Sequence, residues 1–435
     1  MRRLILLLCL VVPGVAQTIE VRGGTTLISG EVPRLFITAK PEEKVLVESY
    51  RVTSSFQPGT YDSVKCLAHA YATFVADKQG RIDLDTAVPL GGTYAGADPL
   101  GLLWSGERVE WAETGVKPGE VLIKAGTASL TLTLTSGRDR VELTDVNEKG
   151  LNGAFAKPKG AAKTLPAILL LHGSEGGSQE DARASAVRFA QLGYAAFAVN
   201  YFSWAGLGDI PKALVNIPVE TLTRARDWLG TQPGVSMDHM AIWGVSKGAE
   251  FALVAAAYLP WVERVVACVP SSVVWSGFGR APAEGEVLSS WQFQGKSLPY
   301  VPYENYDQVL QYKLSAGAEH ALSLSKATEQ QRAAARIPVE KSNARILLLG
   351  ATRDHVWPSG QMIPEIEKAM RAAGKADQLK AFVFPDASHF ICGTGAELQR
   401  IQLVLNPEGH NPSPDATARA GAKAWAETKA FLAVQ

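Results

Sequence analysis

The sequence predicts two folding units in tandem, a small β-sandwich followed by a larger, doubly wound α/β sheet. Three observations lead there. A chain of 435 residues exceeds what one core usually organises. Up to about residue 138, apolar residues come in short, strand-like runs broken by turn residues. Beyond that point, near-continuous apolar runs alternate with stretches of three- and four-residue apolar spacing.

Residues 1–16, MRRLILLLCLVVPGVA, have a basic start at Arg2 and Arg3, an apolar run over 4–12, and small residues at Gly14 and Ala16. This predicts a secretory signal peptide cleaved near Ala16, and hence a secreted or periplasmic protein. The run is too short to span a bilayer, and Cys9 follows Leu8 rather than a small residue, so no lipid anchor and no stable membrane insertion are expected. An uncleaved N-terminal anchor is the alternative.

Residues 17–138 carry the sandwich, of immunoglobulin-like type. The runs RLFITAK, KVLVESYRV, the alternation around Tyr71 to Val75, RVEWAE, GEVLIKAG and ASLTLTLT read as strands, with no convincing helix. Residues 81–106, RIDLDTAVPLGGTYAGADPLGLLWSG, read from their Gly and Pro content as a long ordered loop or a pair of irregular strands.

Residues 139–435 carry the α/β sheet. TLPAILLLHG, GYAAFAVNYF, HMAIWG, RVVACVP, ARILLLG and KAFVFP have the continuous apolar character of parallel strands buried on both faces. EDARASAVRFAQL, ETLTRARDWLG and KGAEFALVAAAYL supply the crossover helices. Residues 274–337 interrupt the alternation and are read as a candidate cap insertion.

Charge and cysteine content narrow the function. Basic and acidic residues number 43 each, and loss of the leader would leave a charge of about −2, so no field favours nucleic acid. Hydrophobic residues at 46% exclude disorder, and their placement excludes a multi-span membrane protein. Cys66, Cys268 and Cys392 follow the leader; scattered and odd in number, they allow at most one bridge. No Cys/His spacing suggests a metal, and no cofactor is expected.

The chemistry gathers around Gly244-Val-Ser246-Lys247-Gly248. The motif directly follows the apolar run MAIW and directly precedes a helical stretch. That is the setting of a nucleophile elbow, in which a sharp strand-to-helix turn lifts Ser246 out of the sheet edge, and it makes the second unit an α/β-hydrolase fold. A serine hydroxyl needs a base to take its proton and an acid to orient that base. In this fold they follow in the order acid, then histidine. Asp354 comes just beyond ARILLLG and His389 just beyond KAFVFP, both at strand carboxyl ends. Asp386 is the substitute acid, and His355 and His410 are weaker histidines. The oxyanion formed in acyl transfer needs two backbone N–H donors, one of them from Lys247. The other falls to the Gly-rich loop HGSEGGSQED, at Ser174 or Glu175. The Lys247 side chain is expected on a solvated helix face, with contact to an anionic substrate group as the alternative.

With these residues in view, the chain resembles the acyl-CoA thioester hydrolase / bile acid-CoA:amino acid N-acyltransferase family over nearly its whole mature length. GRIDLDTAVPLGGTYAGADPLGLLWS resembles the family's characteristic segment in its sandwich domain. HGSEGG, GYAAFAVNYF, GVSKGAEFAL, IPVEKSNARILLLGATRDHVWPS and DASHF resemble its hydrolase half. The resemblance implies a triad of Ser246, Asp354 and His389. It also implies hydrolysis rather than amino-acid conjugation, because the thioesterase members use serine at the elbow where the acyltransferases use cysteine. Against the family's largely intracellular setting, this chain reads as exported. Three readings follow: a serine hydrolase of acyl-CoA thioesters, a secreted carboxylesterase acting on oxygen esters with the same machinery, and a non-catalytic binding module built on the sandwich. The partner in the first two is a small acyl thioester or ester, and the oligomeric state is open.

Overall fold

A computed structural model describes residues 16–28, 30–56, 63–109, 114–280, 286–310, 314–393 and 413–433. The leader up to residue 15 and His410 therefore lie outside the described residues. The chain forms two compact units, one holding residues up to 27 and 31–134, the other residues 28–30 and 135–435.

The first unit is built from two antiparallel sheets. Thr18–Arg22, Arg34–Thr38 and Arg81–Asp83 make a three-stranded sheet. The larger sheet centres on Lys44–Phe56 paired with Ser63–Val75, in unbroken register from Lys44 opposite Val75 to Phe56 opposite Ser63. Period-two alternation explains the pairing: Ala68, Ala70, Ala72 and Phe74 are buried, whereas Tyr71 and Val75 face outward. Glu120–Ala125 and Ala128–Thr135 extend the sheet. Residues 81–106 depart from expectation. They hold the strands Arg81–Asp83 and Gly91–Gly92, and also one turn of helix, Gly101–Trp104, with all four residues buried. The Trp104 indole N–H reaches Asp98 at 3.0 Å, so a tertiary contact holds a turn that propensity alone would not.

The second unit is an eight-stranded sheet. In chain order its strands are β1 (Val141–Glu148), β2 (Leu151–Pro158), β3 (Leu165–Leu171), β4 (Ala195–Val199), β5 (Val235–Val245), β6 (Arg264–Cys268), β7 (Arg345–Ala351) and β8 (Leu379–Phe384). They lie in the order β1-β2-β4-β3-β5-β6-β7-β8. From β4 to β8 all pairs are parallel, while β1 and β2 form an antiparallel hairpin. The six strands expected from their apolar runs are parallel, and the hairpin adds two strands that the sequence reading did not name. Its first strand, VELTDVNE, is mostly exposed and lacks the continuous apolar signature of its neighbours.

Successive residues of β3 enter different cores. Leu169 and Leu171 pack on one face with Phe197 and Ile242, and Ile168 and Leu170 on the other with Ala196 and Trp243. Helices α2 (Glu220–Gly230), α3 (Lys247–Tyr258) and α4 (Ser359–Ala372) cover the first face; α1 (Gln179–Ala190) and α5 (Pro414–Leu432) cover the second. Helix α3 is buried all round from Lys247 to Ala256, so it reads as uniformly apolar rather than amphipathic.

Residues 274–337 form an excursion whose base is closed by an antiparallel bridge between Val273 and Arg336. It carries the short strands Trp291–Phe293 and Lys296–Ser297 and the helices Tyr306–Leu310, Ala316–Lys326 and Glu329–Ala335. Trp275, Val301 and Ala335 form its core with Trp357 of the main unit. Among the described residues no helix is long and apolar enough to cross a membrane.

Candidate active site

Ser246 stands between β5 and α3 with φ 55° and ψ −121°, a conformation costly to a non-glycine residue and imposed by its surroundings. Two glycines make the turn sterically feasible. A Cβ on Gly244 would lie 2.1 Å from the Gly248 carbonyl oxygen, and one on Gly248 would lie 2.4 Å from those of Leu171 and His172. Strand and helix thus approach too closely for any side chain. The Ser246 N–H donates to the Cys268 carbonyl at 3.0 Å, tying the elbow to the end of β6.

Asp354 and His389 leave the carboxyl ends of β7 and β8 and meet. His389 Nδ1 lies 2.8 Å and 2.9 Å from the two Asp354 carboxylate oxygens. Asp354 is also held by the N–H groups of Val356 and Trp357, at 3.0 Å and 3.2 Å, and by the Ser359 hydroxyl at 2.6 Å. Burial pushes this carboxyl up, but the charge and hydrogen bond of His389, with those other donors, outweigh it and leave it below the ordinary aspartate value. The carboxylate is thus ionised and fully engaged. With Nδ1 committed, the His389 Nε2 points away from Asp354 and forms no hydrogen bond among the described residues.

The rival residues are placed differently. Asp386 is largely exposed and pairs with Arg353 at 3.4 Å. His355 packs on Phe390, with ring centroids 5.1 Å apart.

The loop after β3 lies beside the serine. A Cβ on Gly173 would meet Ser246 Cβ at 3.3 Å and a Glu175 carboxylate oxygen at 2.5 Å. The Glu175 carboxylate accepts the Gly173 N–H at 2.8 Å and its own backbone N–H, and it feels the charge of His389. The Glu175 N–H is therefore engaged by its own side chain. The His172 ring stacks on Tyr201 with centroids 4.1 Å apart, and burial lowers its pKa to about 4.

The Lys247 side chain is not on a solvated face, and this corrects the sequence expectation. It is 2% exposed, donating to Glu250 at 2.8 Å and to Ser290 at 2.9 Å. Glu250 in turn accepts the Trp275 N–H at 3.1 Å and the Trp291 indole N–H at 2.8 Å. Burial pulls the lysine down and pushes the glutamate up, while each partner holds the other charged. This network pins the 274–337 excursion to the helix carrying the elbow. Its partners in the excursion lie 25 to 43 residues away in sequence, and the local signal was the Lys-x-x-Glu spacing on one helix face.

The structure also pairs Cys268 with Cys392 and leaves Cys66 free and buried.

The family described as BAAT / Acyl-CoA thioester hydrolase C terminal matches residues 217–435, and Acyl-CoA thioester hydrolase/BAAT N-terminal region matches residues 46–150. The chain is 26% identical to acyl-coenzyme A thioesterase 2, mitochondrial, of Homo sapiens, over 85% of this chain and 76% of the relative. Identity is also 26% with acyl-coenzyme A thioesterase 1 of Homo sapiens, over 85% and 87% respectively. Among solved structures, an acylaminoacyl peptidase of Pyrococcus horikoshii aligns with a TM-score of 0.42 and 13% identity, over 93% of this chain and 59% of that one. A dienelactone hydrolase-like promiscuous phosphotriesterase from metagenomic libraries aligns with a TM-score of 0.40 and 14% identity, over 67% and 97%. With its C-terminal half matched by one family description and most of its N-terminal unit by the companion one, this chain belongs to the acyl-CoA thioester hydrolase/BAAT family.

Proposed function

We propose that the protein is an exported serine hydrolase that cleaves acyl-CoA thioesters to the free acid and CoA. The observation that carries the reading is the His389–Asp354 pair. The carboxylate fixes the imidazole by Nδ1 and leaves Nε2 as the proton acceptor, on the sheet edge from which Ser246 emerges. His389 takes the Ser246 proton as Oγ attacks the thioester carbonyl, and Asp354 stabilises the imidazolium that results. The oxyanion is held by backbone N–H groups, from Lys247 at the start of α3 and from Ser174, whose neighbour Glu175 has its own N–H engaged. The thiolate leaves, His389 activates water, and the acyl-serine is hydrolysed. The serine–histidine contact is assigned to the substrate-bound state, because such contacts tighten when a site fills. Export rests on the leader and is supported by the Cys268–Cys392 disulfide, a bond that persists in oxidising compartments.

The same disulfide favours a second reading, hydrolysis of oxygen esters, since a compartment that keeps it is not where CoA is made. Comparing one acyl group on CoA, on a short thiol and on an alcohol separates the two. Thioesters are activated, so cleavage alone says little; the question is whether CoA contributes binding energy. The expected outcome is a kcat/KM at least about tenfold higher for the CoA thioester than for the short thioester, about 1.4 kcal/mol. Equal values with faster oxygen-ester cleavage select the carboxylesterase.

A further inference from the structure

The end of β6 is where the three loops of the site are joined. The Cys268 carbonyl accepts the Ser246 N–H at 3.0 Å. Val269, a β-branched residue held at φ 47°, donates its N–H to Leu349 at 2.6 Å and accepts the Trp357 indole N–H at 3.0 Å. Trp357 in turn donates its backbone N–H to Asp354. The elbow and the acid loop therefore both hang on residues 268–269. The third connection is covalent: Cys268 is bonded to Cys392, three residues beyond His389, with the Cα atoms 6.0 Å apart.

The histidine loop has few other holds on that side. Before His389 it is fastened by hydrogen bonds, Asp386 N–H to the Thr352 hydroxyl at 2.8 Å, Arg353 N–H to the Ala387 carbonyl at 3.0 Å and Ser388 N–H to the Thr417 hydroxyl at 3.0 Å. After it, the described residues offer Phe390, whose ring packs on His355 with centroids 5.1 Å apart and whose N–H donates to the Ser388 hydroxyl at 3.1 Å, then the buried Ile391 and the disulfide, the one covalent hold among them. Nothing in acyl transfer consumes this bond, and a cytoplasmic hydrolase would have to do without it.

We propose that the Cys268–Cys392 disulfide is a positioning element for His389, clamping the histidine loop to the end of β6, to which the Ser246 turn and the Asp354 loop are hydrogen-bonded, and that activity depends on its oxidised state. The proposal rests on the Ser246–His389–Asp354 reading above. Reduction by a dithiol delivers two electrons and two protons: the S–S bond gives two cysteine thiols while the dithiol closes to its own disulfide. The freed loop keeps its upstream hydrogen bonds but lets the imidazole drift, and a displacement of about 1 Å costs on the order of 10²-fold in rate.

The test uses the full chain, as wild type, as Cys268→Ser/Cys392→Ser and as Ser246→Ala, with wild type also reduced by dithiothreitol and reoxidised. Thiols titrated in denaturant, circular dichroism, kcat and KM are followed together. Reduction is expected to add two thiols and to lower kcat by about 10²-fold with KM within about twofold, and the double serine variant to match it while folded. Reoxidation is expected to restore kcat, which also answers a double variant that fails to fold. A merely structural bond would lower thermal stability and leave kcat of the folded protein unchanged. Wild-type kcat in the folded double variant or the reduced enzyme, with Ser246→Ala inactive, overturns the clamp alone. Free thiols at Cys268 and Cys392 in the unreduced, denatured chain overturn the pairing, and an active Ser246→Ala overturns both the clamp and the reading beneath it.

Discussion

Two buried pairs of a nitrogen base with a carboxylate lie around Ser246, Lys247 with Glu250 and His389 with Asp354. Both are almost wholly removed from solvent and both have a carboxylate engaged by several donors. In the first, the lysine is held by Glu250 and Ser290 and the glutamate by Trp275 and Trp291, so every charged atom is spent on the protein. In the second, Asp354 is equally spent, but His389 keeps one ring nitrogen without a hydrogen-bond partner among the described residues. Burial and electrostatic perturbation are shared by the two pairs; what separates them is an unused valence. That difference fits the first pair to architecture and the second to the chemistry proposed above.

Breaking the open pair is expected to have the largest effect. Ser246→Ala and His389→Ala should each lower kcat by about 10⁴-fold or more without loss of fold, as steady-state kinetics and circular dichroism would show. Near-normal turnover in either would erase the distinction. The acid comes next. Asp354→Asn should cost roughly 10³- to 10⁴-fold in kcat by presenting the wrong tautomer, while Asp386→Asn, at an exposed pair with Arg353, should stay within a few-fold. A reversed ranking in the same assay moves the acid to the other loop.

The closed pair should behave in the opposite way. Lys247→Met leaves Glu250 buried without its cation and should lose about 3–5 kcal/mol in urea unfolding, with Lys247→Met/Glu250→Leu recovering much of it. A Lys247→Met protein of wild-type stability but collapsed kcat would make this pair catalytic.

The smallest effect concerns acid. Burial lowers the pKa of His172 and His320 to about 4, so the folded state holds them neutral where the unfolded chain protonates near 6.5. Their contribution is complete above about pH 6.5 and is lost as pH falls toward 4. The melting temperature should therefore decline across that window, and His320→Gln should flatten the decline.

What the sequence conveys depends on how local the physics is. Strands β3 to β7 are legible because their apolar runs are unbroken and buried on both faces over most of their length, whereas β8, expected to be buried on both faces, is a half-exposed edge strand that keeps only the apolar run. The elbow is legible because its two glycines fall within one short motif, Gly244 required by a contact inside the turn and Gly248 by the close approach of the end of β3. Hairpin β1–β2 is not, since one of its strands is half solvated and mixes polar with apolar residues. The fate of the Lys247 side chain is not either: lysine at a helix start reads as solvated until Ser290, Trp291 and Trp275 close over it from another segment. The same holds for Cys268 and Cys392, joined across 124 residues that only the folded sheet brings together.

The most direct test of the central claim is labelling with a fluorophosphonate, which captures only a serine whose proton has an acceptor. Intact mass and peptide mapping should find one adduct per chain, on Ser246, with hydrolysis of acyl thioester lost in proportion to labelling and Asp354→Asn labelled far more slowly. Hydrolysis that persists with Ser246 fully modified, or an adduct on another residue that tracks the loss of activity, would contradict the account.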